Sequence, residues 1–305
     1  MSATVNSDRK PVVVNGGPRA GEAQAARRER VLVSVQWLQE NLRTPGVRVV
    51  EISVDTKLYA AGHIPGAVEL NWNTDLQDQV RRDIVSKEGL EALLSARGIV
   101  PSDTIVLYGD HSNWFAAYAF WLLKIYGHAD VRLLDGGRAR WLSEKDGVQR
   151  PLTTEVPAVR PSVYTAHPAD TSLRAHLVDV LGIVHTRSAG LVDVRSPDEF
   201  TGKVIAPPGM SETAQRAGHV PGAVSVPWGR AVNEDGTFKS DDELRELYRT
   251  AGINLERPVV TYCRIGERSS HSWFVLRHLL GVADVRNYDG SWTEYGSVVG
   301  VPIER

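Results

Sequence analysis

Gly62-His63-Ile64-Pro65-Gly66-Ala67-Val68 returns in the second half of the chain as Gly218-His219-Val220-Pro221-Gly222-Ala223-Val224. A Pro-Gly turn running into an apolar pair, met twice, is the mark of a duplicated unit, so the rest of the chain is read in pairs. Downstream of the motif, Tyr108 to Trp141 aligns without a gap onto Tyr262 to Tyr295, matching Gly127 with Gly281 and Asp135-Gly136 with Asp289-Gly290. The expected organisation is a flexible polar tail over 1–30, a first unit over 31–150, a connector over 151–175 carrying Pro151, Pro157, Pro161 and Pro168, and a second unit over 176–305.

Each unit alternates short apolar runs with amphipathic segments, which is the pattern of an α/β fold: a mostly parallel sheet flanked by helices. In the second unit the runs 190–194, 224–226, 259–262 and 285–288 read as strands. Residues 241–250 have helical spacing through Leu244, Leu247 and Tyr248, with Gly252 as a stop, and a second helix is expected over 268–280.

At 305 residues, with 42% hydrophobic and 24% charged residues, the chain is long enough for two globular units with real cores. A formal net charge of −2 lacks the basic excess of a dedicated nucleic-acid binder. The longest apolar run, 115–123, closes at Lys124, well short of the roughly 18 residues a membrane-spanning helix needs. The tail mixes Arg9, Lys10, Arg19, Arg27, Arg28 and Arg30 with Asp8, Glu22 and Glu29, and its only apolar cluster is 12–14, so no export signal is indicated. Cys263 is the only cysteine; it excludes an internal disulfide and a multi-cysteine zinc site, and fits a reducing, cytoplasmic setting.

Cys263 follows the strand 259–262 and precedes a helix, and ligands of open α/β sheets bind beyond the carboxyl ends of strands. The loop Cys263-Arg264-Ile265-Gly266-Glu267-Arg268-Ser269 offers backbone N–H groups and the positive end of the next helix to an anion. An inert core thiol sits within an apolar run, whereas this one is followed by arginines, a glycine and a glutamate. The expectation is a nucleophile whose thiol is lowered toward the thiolate by the helix and the arginines.

The paired Gly-His-(Ile/Val)-Pro-Gly-Ala-Val motifs, the strand end Leu191-Val192-Asp193-Val194-Arg195, the Cys263 loop and the ending Tyr288-Asp289-Gly290-Ser291-Trp292-Thr293-Glu294-Tyr295 resemble the tandem-domain rhodanese sulfurtransferases, closest to the actinobacterial thiosulfate type. The resemblance implies two rhodanese-like domains with only the second catalytic. Comparison of the repeats agrees, since Cys263 falls opposite Gly109, Arg268 opposite Trp114 and Arg195 opposite Ser53, so the first copy is expected to lack both nucleophile and cations.

The resemblance further implies a two-step transfer without a cofactor or metal: Cys263 takes the sulfane sulfur of thiosulfate, or a related small donor, and passes it from a persulfide to cyanide, a thiol or a protein acceptor. Arg264, Arg195 and Arg268 are the expected substrate-binding cations, in that order. Ile265 stands where vertebrate-type loops carry a second basic residue, and Glu267 places an acid in a loop meant for an anion. His63 and His219, repeated in a cysteine-free copy, are read as structural; Trp72 and Trp228 are expected at the interface or cleft wall.

Three alternatives stand beside this reading. A 3-mercaptopyruvate sulfurtransferase shares the fold and nucleophile, but its typical loop has small, uncharged residues after the cysteine, unlike Arg264. A cysteine phosphatase also closes its loop with an arginine, but with one residue more than the four between Cys263 and Arg268. The third is a sulfur-relay module fed by another protein.

Overall fold

The computed structural model describes residues 20–209 and 213–305. In chain order, the first half contains α1 (Ala20–Glu29), β1 (Leu32–Val33), α2 (Val35–Asn41), β2 (Val47–Glu51), α3 (Leu58–Ala61), β3 (Val68–Glu69), α4 (Lys87–Ala96), β4 (Thr104–Tyr108), α5 (Trp114–Ile125), β5 (Val131–Leu134) and α6 (Gly137–Leu142). The second contains α7 (Leu177–Thr186), β6 (Gly190–Asp193), α8 (Pro197–Phe200), β7 (Ala223–Ser225), α9 (Asp241–Thr250), β8 (Val259–Tyr262), α10 (Glu267–Phe274), β9 (Val285–Tyr288) and α11 (Ser291–Tyr295).

The first sheet has the order β1-β5-β4-β2-β3 and the second β7-β6-β8-β9, with every pairing parallel. The central strand β8 is buried along its whole length, which is why Val259-Val260-Thr261-Tyr262 lacks the alternation of a one-sided strand. The fifth, edge position of the second sheet is reduced to a single parallel bridge between Arg174 and Asn287, so the second unit begins just inside the expected connector. The connector itself lies against the first domain, pairing Thr153 with His63 and Ser162 with Ser95 through backbone hydrogen bonds.

The two Pro-Gly motifs are tethered alike. The amide of Ile64 donates to the Tyr108 hydroxyl at 3.0 Å, and that of Val220 to the Tyr262 hydroxyl at 3.1 Å, so the last residue of each central strand holds the turn of its neighbour. Each motif histidine reaches a backbone carbonyl at 2.9 Å, His63 that of Tyr59 and His219 that of Phe200, and each stacks on the ring of the same partner.

The domains meet through α5 and α10, which are equivalent elements of the repeat. Phe120 and Phe274, a matched pair in the alignment, meet edge to face with centroids 4.9 Å apart. Trp114 and Arg268, another matched pair, also meet, the guanidinium lying 6.0 Å from the indole. Equivalent residues touching each other define a pseudo-two-fold axis between the helices, as in an isologous dimer.

The tail differs from expectation. Residues 1–19 lie outside the described residues, but the chain is helical from Ala20, and Arg28 anchors this helix to the second domain. Its guanidinium donates to Asp241 at 2.9 Å and to the carbonyls of Lys239 and Phe238 at 3.1 and 3.0 Å. A weak apolar stripe concealed this docking, because polar side chains carry it.

Candidate active site

The Cys263 loop is shaped by what surrounds it. The amide of Cys263 donates to the Ser291 hydroxyl at 3.1 Å, while its carbonyl accepts from Trp292 and that of Arg264 from Thr293, each at 3.1 Å. These bonds fasten the first two loop residues to the start of α11. Gly266 then turns at φ +103°, and a Cβ there would stand 2.8 Å from that of Asp289, so the tight approach requires glycine. The turn points the Gly266 amide inward, donating to the Cys263 sulfur at 3.2 Å, with the Ser269 hydroxyl at 3.6 Å.

Cys263 is fully buried, and its thiol donates toward the Glu267 carboxylate with Sγ to Oε2 of 3.3 Å. Burial first, and the Glu267 charge second, push the thiol above its ordinary range against the pull of Arg268 and Ser269. The expectation of a lowered thiol is therefore corrected: burial and the Glu267 carboxylate oppose ionisation more strongly than Arg268 and Ser269 favour it.

The three arginines divide. Arg268 is buried and donates to both oxygens of Glu199 at 3.1 and 3.3 Å, while its Nε lies 3.5 Å from Glu267. Burial alone would raise the Glu199 carboxyl, but Arg268 and the Ser196 amide hold it below its usual range. Arg195 is fully buried, pairs with Asp193 at 2.6 Å, donates to the Gly218 carbonyl at 2.7 Å and lies 4.6 Å over the Trp292 ring. It thereby fixes the second Pro-Gly motif; only its Nη1 is without a hydrogen-bond partner among the described residues. Arg264 is buried in the loop beside the nucleophile.

The sequence comparison missed that the first domain keeps the strut with a different arginine. Arg138 donates to both oxygens of Glu51 at 3.1 and 3.2 Å and also to the Gly62 carbonyl. It stands opposite Trp292 in the alignment, so the repeats exchange arginine and its support, while the positions matched to Cys263, Arg268 and Arg195 are Gly109, Trp114 and Ser53. Glu199 and Ser291 were also missed. The Ser196-x-x-Glu199 capping box was the available signal for Glu199, but it pointed to a helix start rather than to Arg268.

Trp228 meets Trp114 at 4.9 Å and His271 at 5.3 Å, while Trp72 stacks on Phe115 at 4.2 Å. Beside the loop, a cleft of about 300 Å³ lies between the domains, walled by Arg81, Tyr118, Ile265, Tyr288 and Glu294. Arg174 spans it, binding Asp83 at 2.7 Å and Asp289 at 2.8 Å.

The rhodanese-like domain matches this chain twice, over residues 34–144 and 177–297. The chain belongs to the rhodanese family. A protein of Saccharopolyspora erythraea named "Putative thiosulfate sulfurtransferase" is 57% identical over 91% of this chain and 97% of its own length. The sulfur carrier protein TtuD of Thermus thermophilus is 53% identical over 90% of this chain and 96% of its own. Among solved structures, the 3-mercaptopyruvate sulfurtransferase SseA of Escherichia coli is similar with TM-score 0.72 and 25% identity, over 86% of this chain and 98% of that one. Among the described residues no helix is long and apolar enough to cross a membrane.

Proposed function

We propose that this chain is a thiosulfate sulfurtransferase that carries the sulfane sulfur as a Cys263 persulfide and delivers it to cyanide or a thiol, in the cytoplasm. The observation that carries the reading is the buried Cys263 sulfur, ringed by the Gly266 amide and Ser269 hydroxyl at the start of α10, with Arg264 in the loop and Arg268 in the first turn of that helix. Amide and hydroxyl donors aimed at one sulfur suit an atom that becomes anionic when persulfidated. Arg264 and Arg268 serve the sulfonate, whose negative charge would otherwise be repelled from an anionic nucleophile. Arg195 holds the Gly218 turn of the second Pro-Gly motif, and Ile265 lines the cleft beside the loop.

Intact-protein mass spectrometry after incubation with thiosulfate or 3-mercaptopyruvate tests this. The expected result is a gain of one sulfur, about 32 Da, on the wild type and none on Cys263→Ala, faster with thiosulfate. Faster loading by 3-mercaptopyruvate overturns the donor. Likeness to a sulfur carrier protein favours a second reading, a relay whose donor or acceptor is another protein; it gains if neither small donor loads Cys263.

A further inference from the structure

We propose that Glu267 is a catalytic residue of this site: it takes the Cys263 proton as the sulfur–sulfur bond forms and gives it to the departing sulfite. This inference rests on the thiosulfate reading above.

The two side chains stand at opposite ends of the loop that leads from β8 into α10, both buried, with Sγ and Oε2 3.3 Å apart, and no other carboxylate is bonded to the sulfur among the described residues. The other charged groups around the pair are Arg264 in the loop, Arg268 on α10, Glu199 from α8, Asp193 and Arg195 at the end of β6, and Asp289 with its partner Arg174 beyond β9. Asp193 and Asp289 are each closed by an arginine, and Glu199 is bound to Arg268 on both oxygens. Glu267 alone among these acids faces the nucleophile.

A thiol ionised in advance would add a negative charge beside two carboxylates before a dianion enters. A thiol that keeps its proton until attack avoids this. As Sγ bonds to the sulfane sulfur, the sulfane–sulfonate bond breaks and its electron pair leaves with sulfite. The proton passes from Sγ to Glu267 and then to sulfite, so thiol plus thiosulfate dianion yields persulfide anion plus hydrogen sulfite. The cysteine sulfur is formally oxidised and the sulfonate sulfur reduced, and no outside redox partner is needed. While Glu267 is neutral, Arg268 Nε is released from it toward the sulfonate.

The experiment is the rate of sulfur loading from thiosulfate by the full chain, followed by intact mass from about pH 6 to about pH 9, for wild type, Glu267→Gln and Glu267→Asp. The wild type is expected to be nearly flat over this range. Glu267→Gln is expected to be roughly 100-fold slower at the acidic end and to recover about tenfold per pH unit, because it must wait for a free thiolate. Glu267→Asp is expected to restore the flat profile at a lower rate. Thiolate absorbance, read against Cys263→Ala, should titrate at lower pH in Glu267→Gln. A flat Glu267→Gln profile, an equal loss at every pH, or an unmoved thiolate titration overturns the role of Glu267 while leaving the sulfurtransferase intact. Absence of loading in the wild type at every pH overturns both.

Discussion

The two halves of this molecule build the same turn and use it differently. In the second, the residue after the central strand is Cys263, and the loop opens its amides onto the sulfur. In the first, it is Gly109, where a Cβ would stand 2.1 Å from the Ile52 carbonyl. The next residue, Asp110, spends its carboxylate on the amides of Val54 and Asp55 at 2.6 and 3.1 Å. The first loop is thus closed by its own acid and has no space for a side chain at the reacting position. What survives in both halves is the scaffold, a carboxylate at a strand end bridged by an arginine to the Pro-Gly motif. A buried charge needs its partner whichever residue provides it.

The largest effect comes from moving the nucleophile across the repeat. Gly109→Cys combined with Cys263→Ala should gain no sulfur from thiosulfate by intact mass, whereas Cys263→Ala alone should fold and unfold like the wild type. Sulfur found on residue 109 would break the contrast between the loops. Next in size are the two struts. Arg138→Met and Arg195→Met should each cost about 3–5 kcal/mol by urea unfolding, since each strands a buried carboxylate. Only Arg195→Met should also slow loading in the protein that remains folded.

The matched helix positions Ala117 and His271 differ in titration. His271 is fully buried among aromatic rings, and burial lowers its imidazole from 6.5 to about 3. The unfolded chain therefore binds a proton that the folded chain refuses. The stability from a neutral His271 is complete above about pH 6.5 and is lost as pH falls toward about 3, at up to about 1.4 kcal/mol per unit. His271→Leu should flatten the acid limb of the thermal midpoint against pH, and an unchanged limb would place the titration elsewhere. The smallest effect is at Trp114, whose indole faces the Arg268 guanidinium from the other domain. Trp114→Ala should raise the thiosulfate KM by roughly fivefold, the scale of a cation–π contact of about 1 kcal/mol.

Much of this was legible from the repeat. Strands β8 and β9 and helix α9 fall where apolar runs, helical spacing and stop signals placed them, because each has a Gly or Pro close to one end and buries its apolar residues. The long helix after the loop begins one residue earlier than expected and changes to a π turn over Val275–Leu279. The position of Cys263 was legible because the strand-to-helix junction is local. The partners of the arginines were not, because Arg268 finds Glu199 and Arg138 finds Glu51 only through tertiary approach. The thiol shift was hidden for the same reason: sequence shows a cation-rich loop, but not that Glu267 turns inward to the sulfur.

The axis between α5 and α10 has a consequence for symmetry itself. In a dimer of two identical second domains, an arginine at position 268 on the axis would confront its own copy, and any change there would be made twice. Joining the copies in one chain removes that constraint. A tryptophan can occupy one side while the arginine remains on the other, and the pair becomes attractive where identity would have made it repulsive. Covalent linkage here converts a self-complementary contact into a complementary one, and allows one half to specialise while the other supplies its wall.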